Sequence, residues 1–281
     1  TSQNRLVTVD DYKSKLQTLY PGADSISVWG GEDNSPPEYG KIFISIKPSQ
    51  NVNKLTSSEK TLLRDKMRRL NMLTVRPEIV DADVIEILVT CNFKFNPRAT
   101  TKTASELETL VRAAIITHDS TYLSGFDSIF RHSVLATDID NAESSILSNI
   151  TTVKLRKTIS PTLGQSKGYE IEFGDGNKFY NPHLGHNKHG GGITTTTGFK
   201  VSGFTDTFFF DDDGEGNLRR YSLSGSTRVY ADNQAGTVDY TNGKITVNGV
   251  NILETSNTDD TIHFTVIPNS YDAVAFRSNL L

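Results

Sequence analysis

Three histidines stand within seven residues of "NPHLGHNKHGGG", at His183, His186 and His189. Three imidazoles this close can converge on a transition metal if the loop between them curls. Their spacing of three and three is not a standard zinc pattern, and the segment holds no Asp or Glu to act as a base. The interleaved Asn, Gly and Lys instead point to a turn-rich loop that folds against a partner. His183, His186 and His189 are thus the candidate ligands of an alternative reading, a metal-dependent hydrolase.

Two other stretches carry clustered carboxylates. In "DDDGEGNLRRY", Asp211, Asp213 and Glu215 alternate, with Gly216 at the turn, as in a calcium loop. An EF-hand needs a bidentate Glu at its twelfth position. Here that position is Ser222, and strand-like sequence flanks the loop. The expectation is an acidic β-turn. In "VWGGEDNSPPEYG", Gly30 and Gly31 leave a strand, and Pro36-Pro37 prevent a helix from opening behind them. A phosphate loop needs a helix whose free N–H groups face the anion. A shaped connection between two strands is expected, with Glu32 and Asp33 as candidates for contact with a neighbouring subunit.

The remaining reactive residues read as structural. His118-Asp119 and Arg131-His132 sit near helix ends, with no Ser in a strained G-x-S-x-G turn to join them. Cys91 lies in the inward row of its strand and reads as core. No catalytic residue and no cofactor is expected.

These residues need elements to hold them. "TVDDYKSKL" is a helix opened by Thr8 and Asp11, with Val9, Tyr12, Leu16 and Leu19 on one face and Pro21-Gly22 as its stop. Ile26 and Val28, then Ile42, Ile44 and Ile46, alternate as two strands. Thr56 and Glu59 box the start of a second helix, buried along Leu63, Met67 and Leu70. The opposite face of that helix is basic: Lys60, Arg64, Lys66, Arg68 and Arg69. Such a face is either solvated or meets an acidic partner, and Arg64, Arg68 and Arg69 are the candidate contacts. A long strand follows, with Ile85, Ile87, Val89, Cys91, Phe93 and Phe95 on one side. Thr103 and Glu106 open a third helix, and "GFDSIFRHSVL" reads as a shorter one carrying Phe126, Ile129, Phe130 and Val134. Val153, Leu155 and Ile159 alternate again.

From about Gly164 the helical period disappears and short strands alternate with turns, among them "GYEIEF", "DTFFF", "GTVDY", "KITVN" and "TIHFTVIP". Thr241-Asn242-Gly243 between two such runs is a hairpin signal. The expected fold is α+β, with a helix-covered mixed-sheet domain over residues 1–162 and an all-β, hairpin-rich domain over 163–281.

Composition bounds the function. Fourteen Phe and ten Tyr in 281 residues can furnish two cores. A net charge of −4 argues against nucleic acid as partner. One cysteine excludes an intrachain disulfide or a multi-cysteine zinc site and suits a reducing compartment. No apolar run approaches the roughly 20 residues of a membrane-spanning helix, so no membrane partner is expected. The start at Thr1, without Met, suggests a fragment or a processed product.

The stretches "RLVTVDDYKSKLQTLYPGADSISVWGGEDNSPPEYGKIFISIKP", "FRHSVLATDID" and "GTVDYTNGKITVNG" resemble the baseplate J-like family of contractile-tail phages. Within it they are most similar to wedge subunits of T-even-type phages, which build the inner baseplate ring. The resemblance implies a structural virion protein without enzymatic activity, assembled in the host cytoplasm and located in the tail baseplate. It also implies homodimers linked into a ring around the central hub, contacts with other wedge proteins, and rearrangement on tail contraction. This chain would be the C-terminal portion. Beside this stand the hydrolase above and a glycan- or partner-binding tail module, whose candidate residues are Tyr169, Tyr180 and Tyr221 near loops.

Overall fold

A computed structural model describes residues 5–34, 36–49, 54–72, 74–126, 128–174, 177–180, 193–275 and 277–281. The backbone divides into two compact units. The first takes Thr1–Val84, Asp119–Ile129 and Ala275–Leu281; the second takes Ile85–His118 and Phe130–Val274. The change of texture near Gly164 falls inside the second unit. The architecture is α+β with a β-rich second half, as the sequence implies.

The first unit opens with α1 (Val9–Leu19). Thr8 Oγ1 accepts from Asp11 N, and the Asp11 carboxylate accepts from Thr8 N at 2.9 Å, which satisfies two of the N–H groups a helix start leaves open. Tyr12 and Leu16 are buried, whereas Val9 is 45% exposed. The expected four-residue stripe is therefore narrower, formed by Tyr12, Leu16 and Leu19, with Val9 on the exposed first turn. β1 (Ala23–Gly30) pairs antiparallel with β2 (Lys41–Pro48), matching Val28 to Ile44 and Ile26 to Ile46. α2 (Ser57–Arg68) starts at the predicted Thr56–Glu59 box and buries Leu63 and Met67. β3 (Arg76–Val80) then lies parallel to β2, completing a mixed sheet in the order β1-β2-β3. Tyr12, Leu16, Val28, Ile44, Ile46, Leu63 and Met67 form one core between sheet and helices.

The third strand of this sheet is thus β3 and not the long alternating strand expected from Ile85 onward. Pro77 masks β3 in the sequence; it is tolerated because β3 is an edge strand.

The long strand, β4 (Asp83–Phe95), runs on into the second unit, where it pairs antiparallel with β6 (Ile146–Ile159). Between them lie α3 (Ala104–Tyr122), β5 (Ile129–Phe130) and α4 (His132–Asp140). α3 carries its predicted Thr103–Glu106 box. The single helix expected over "GFDSIFRHSVL" is instead a two-residue strand followed by α4. Phe126 and Phe130 are buried, while Ile129 is 47% exposed. The break comes from afar: His132 N, at the start of α4, donates to Asp272 Oδ1 at 2.8 Å.

β7 (Ser166–Glu172), β8 (Thr195–Thr196), β9 (Phe199–Val201), β10 (Thr207–Asp212), β11 (Asn217–Ser224), β12 (Thr227–Asp239), β13 (Lys244–Thr255) and β14 (Ile262–Val266) follow. Short β15 (Ala273–Val274) and β16 (Asn279–Leu280) end the chain, β16 lying parallel to Asp83 and Val84. Strands β9 to β13 close on themselves: β9 pairs β10 and β13, β10 pairs β11, β11 pairs β12, and β12 pairs β13. Closure removes strand edges that would otherwise seek partners. Phe199, Phe208, Phe210, Leu218 and Ile245 are buried, and Phe199 stacks on Phe210 at 4.7 Å. The predicted hairpin joins β12 to β13 with Asp239 opposite Lys244. Gly243, at φ +63°, lies where an added Cβ would come within 2.3 Å of Asn177 O.

Candidate interaction surfaces

Gly31, Glu32 and Asp33 form a short 3-10 turn after β1. Gly31 O accepts from Asn34 N at 3.2 Å and Glu38 N at 2.7 Å, folding the loop back on itself. Gly31 must be glycine because a Cβ there would lie 2.0 Å from Glu38 O. Trp29 stacks on Phe43 at 5.8 Å, and its Nε1 donates to Asn34 Oδ1 at 2.9 Å. Lys41 Nζ lies 2.6 Å from Glu38 Oε2, and its hydrogen bond holds the Glu38 carboxyl below the usual carboxylate range. Arg277 donates to the Asp33 backbone carbonyl. With their backbone secured this way, Glu32 and Asp33 present exposed side chains.

Arg64, Arg68 and Arg69 on α2 are exposed too, and they form no ion pair among the described residues. Lys60, on the same face, is engaged with Asp81 at 2.7 Å. The face therefore carries cations whose charge is not spent within the unit. Glu59 at its start is held below the usual range by hydrogen bonds from the Thr56 side chain and backbone.

The acidic stretch of the second unit is divided between strand and turn. Asp211 and Asp212 belong to β10 and are buried. Asp211 accepts from Arg219 Nε at 2.9 Å, Arg228 Nη1 at 2.6 Å and Tyr230 Oη at 3.0 Å. Arg219 in turn lies over the Tyr230 ring, and Arg228 over Tyr221. Asp212 accepts from Thr194 N at 2.7 Å and Tyr240 Oη at 2.6 Å. Burial pushes the Asp212 carboxyl above the usual aspartate range, against the pull of those hydrogen bonds. Only Asp213 caps the turn, accepting from Glu215 N, Asn217 N and Asn217 Nδ2. Burial raises its pKa, but these bonds outweigh it and leave it lowered. Of the carboxylates that resembled a calcium loop, Asp211 and Asp213 are thus occupied by the protein's own donors, while Glu215 is exposed.

The other sequence candidates are dispersed. His183, His186 and His189 lie outside the described residues. Among the described residues, no three His, Cys, Asp or Glu side chains gather as a metal site would require. His118 Nδ1 lies 2.7 Å from Asp138 Oδ2, twenty residues away, and not beside its neighbour Asp119 as a dyad. His132 Nε2 lies 2.8 Å from Thr151 O. Cys91 is half-buried and not the core residue expected, because its row on β4 is only partly covered. Tyr169 is half-buried and its Oη accepts from Thr162 N at 3.0 Å, Tyr180 is half-buried, and Tyr221 is buried. The Asp211 cluster was missed by sequence reading. The arginines and tyrosines at 219, 228, 221 and 230 are its only trace, and only the β11–β12 pairing brings them together.

Exposed charge and half-covered strands leave surface on which a partner could dock. Comparison with protein families agrees. Residues 8–80 match the family of baseplate structural protein gp6, C-terminal domain I, and residues 85–158 match that of baseplate structural protein gp6, C-terminal domain III. The first match lies inside the first compact unit and the second begins where the second unit begins. Two such matches on consecutive segments support a phage baseplate structural protein, and the matched families are in general non-enzymatic. Their setting is the virion tail baseplate, in assembly with other baseplate components. No curated protein matches the chain significantly.

Proposed function

We propose that the chain is the C-terminal part of a baseplate wedge subunit of the baseplate J-like kind. In this reading it forms homodimers that link into a ring around the central hub, and the ring rearranges when the tail contracts. Assembly takes place in the host cytoplasm, and the protein performs no catalysis. The observation that carries the reading is the pair of gp6 C-terminal domain matches on consecutive segments. Exposed Glu32 and Asp33 beside a stiff turn, and the unspent cations Arg64, Arg68 and Arg69, supply separate contact surfaces. Two different contacts on a dimeric subunit suffice to close a ring. Residues 1–162 form the α+β portion in this reading, and 163–281 the β-rich portion.

Sedimentation and light scattering on the purified chain, alone and mixed with other wedge proteins, test the proposal. A dimer that enters a larger complex is expected. A chain that stays monomeric and joins no wedge protein would refute it.

A further inference from the structure

The second unit carries a long strand edge that nothing among the described residues pairs. From Ile85 to Phe95, β4 bonds β6 along one edge, while β16 reaches only Asp83 and Val84 on the other. Eleven residues at about 3.4 Å each make an edge of about 37 Å. Protein edges of this length are ordinarily blunted by proline, bulges or short strands. Ile85–Phe95 contains no Pro and no Gly, and its one irregularity lies at Lys94/Phe95, at the very end. On one face, Ile87, Val89, Cys91, Phe93 and Phe95 are only half-buried. The other face carries Glu86, Leu88, Thr90, Asn92 and Lys94.

The order of these residues is self-complementary. If a second copy adds its β4 antiparallel about a two-fold axis at Thr90, Glu86 of each copy faces Lys94 of the other. Leu88 then faces Asn92, and Thr90 faces itself. On the opposite face Ile85 meets Phe95, Ile87 meets Phe93, and Val89 meets Cys91. Both opposite-charge contacts form at once, and on the face that carries Ile85 to Phe95 every residue meets an apolar or thiol partner, while Leu88 packs on the stem of Asn92. Directly opposed pairs of these kinds stabilise antiparallel strands. Lys94 is exposed and has no ion pair among the described residues, whereas Glu86 already holds Arg156 and gains a second cation.

We propose that the β4 edge is a homodimer interface, in which two copies join by antiparallel strand addition centred on Thr90. The inference rests on the self-association proposed above and names the surface that carries it. In the full chain with Cys91→Ser, Thr90→Cys should form a disulfide-linked dimer under mild oxidation, since opposed Cα atoms lie about 4.5–5.5 Å apart in such a pair. Thr158→Cys, exposed on β6, should not. Lys94→Glu should weaken dimerisation about tenfold, about 1.4 kcal/mol. The double variant Glu86→Lys/Lys94→Glu should restore most of it. A wild-type dimer that neither cross-links at position 90 nor responds to Lys94→Glu overturns the β4 interface and leaves self-association standing through another surface. A chain that stays monomeric at about 100 µM and joins no wedge protein overturns both readings, whereas capture of the Thr90→Cys edge only by a different baseplate protein overturns the β4 dimer interface alone.

Discussion

Asn177 holds three backbone groups at once. Its Nδ2 donates to Phe173 O at 2.6 Å and Val274 O at 2.8 Å, and its Oδ1 accepts from Val274 N at 2.9 Å. It is 2% exposed, so no water can replace it. Asn177→Leu keeps the size and strands all three groups. A loss of about 3 kcal/mol is expected, read as a lower denaturant midpoint. A second residue-scale expectation concerns acid. Glu59 and Glu106 are held below the usual carboxylate range by hydrogen bonds from Thr56 and Thr103. A lowered folded pKa contributes stability above the ordinary value, about 4.3, and loses it as pH falls through the folded value. Asp212, raised by burial, acts in the opposite sense: its share is full at low pH and is lost as pH climbs through its raised value. The Glu59→Gln/Glu106→Gln variant keeps both capping boxes in neutral form. Its melting temperature should fall less than the wild type's between pH 5 and pH 3, roughly the range in which such carboxylates titrate. Parallel curves would show that these boxes do not set the acid limb.

At the scale of elements, helix starts were the most legible feature. All three capping boxes, at Thr8, Thr56 and Thr103, stand where the residues imply, because a box is local chemistry spanning four residues. Elements defined by distant partners were not legible. β3 hides behind Pro77, and α4 begins where Asp272, 140 residues downstream, reaches its first amide. The turn at Gly31 lies between these cases. Its glycines are visible in sequence, but their cause, the approach to Glu38 O, is not. Gly31→Ala should cost about 2 kcal/mol, as overpacking against backbone does. Because Trp29 is the only tryptophan and is tied to this turn, the variant's emission should shift to longer wavelength. An unshifted spectrum with unchanged stability would mean that the turn adapts.

At the scale of the whole molecule, the prediction concerns charge. Arg64→Glu, Arg68→Glu and Arg69→Glu together should leave the melting temperature within about 1–2 °C of the wild type, because exposed unpaired cations contribute little to folding. If α2 meets an acidic partner, the same triple variant should bind other wedge proteins more weakly, and the wild-type interaction should weaken with salt. Unchanged binding would remove this face from the assembly surfaces. Glu32, Asp33, Arg64, Arg68 and Arg69 are exposed, as contact with a partner would require. The acidic loop was legible as a turn, but the burial of Asp211 and Asp212 was not.

The sequence by itself determined the α+β class, the helix starts, most of the strands and the likeness to baseplate proteins. Each of these is written in short-range pattern: periodicity, caps and turn residues. Only the tertiary structure decided that β3 completes the first sheet, that β9 to β13 close on themselves, and that Arg219 and Arg228 neutralise Asp211. It also decided that, among the described residues, β4 is left with an open edge from Ile85 to Phe95. These outcomes depend on which strand meets which across many residues, and alternation alone is the same for a strand at the centre of a sheet and one at its rim.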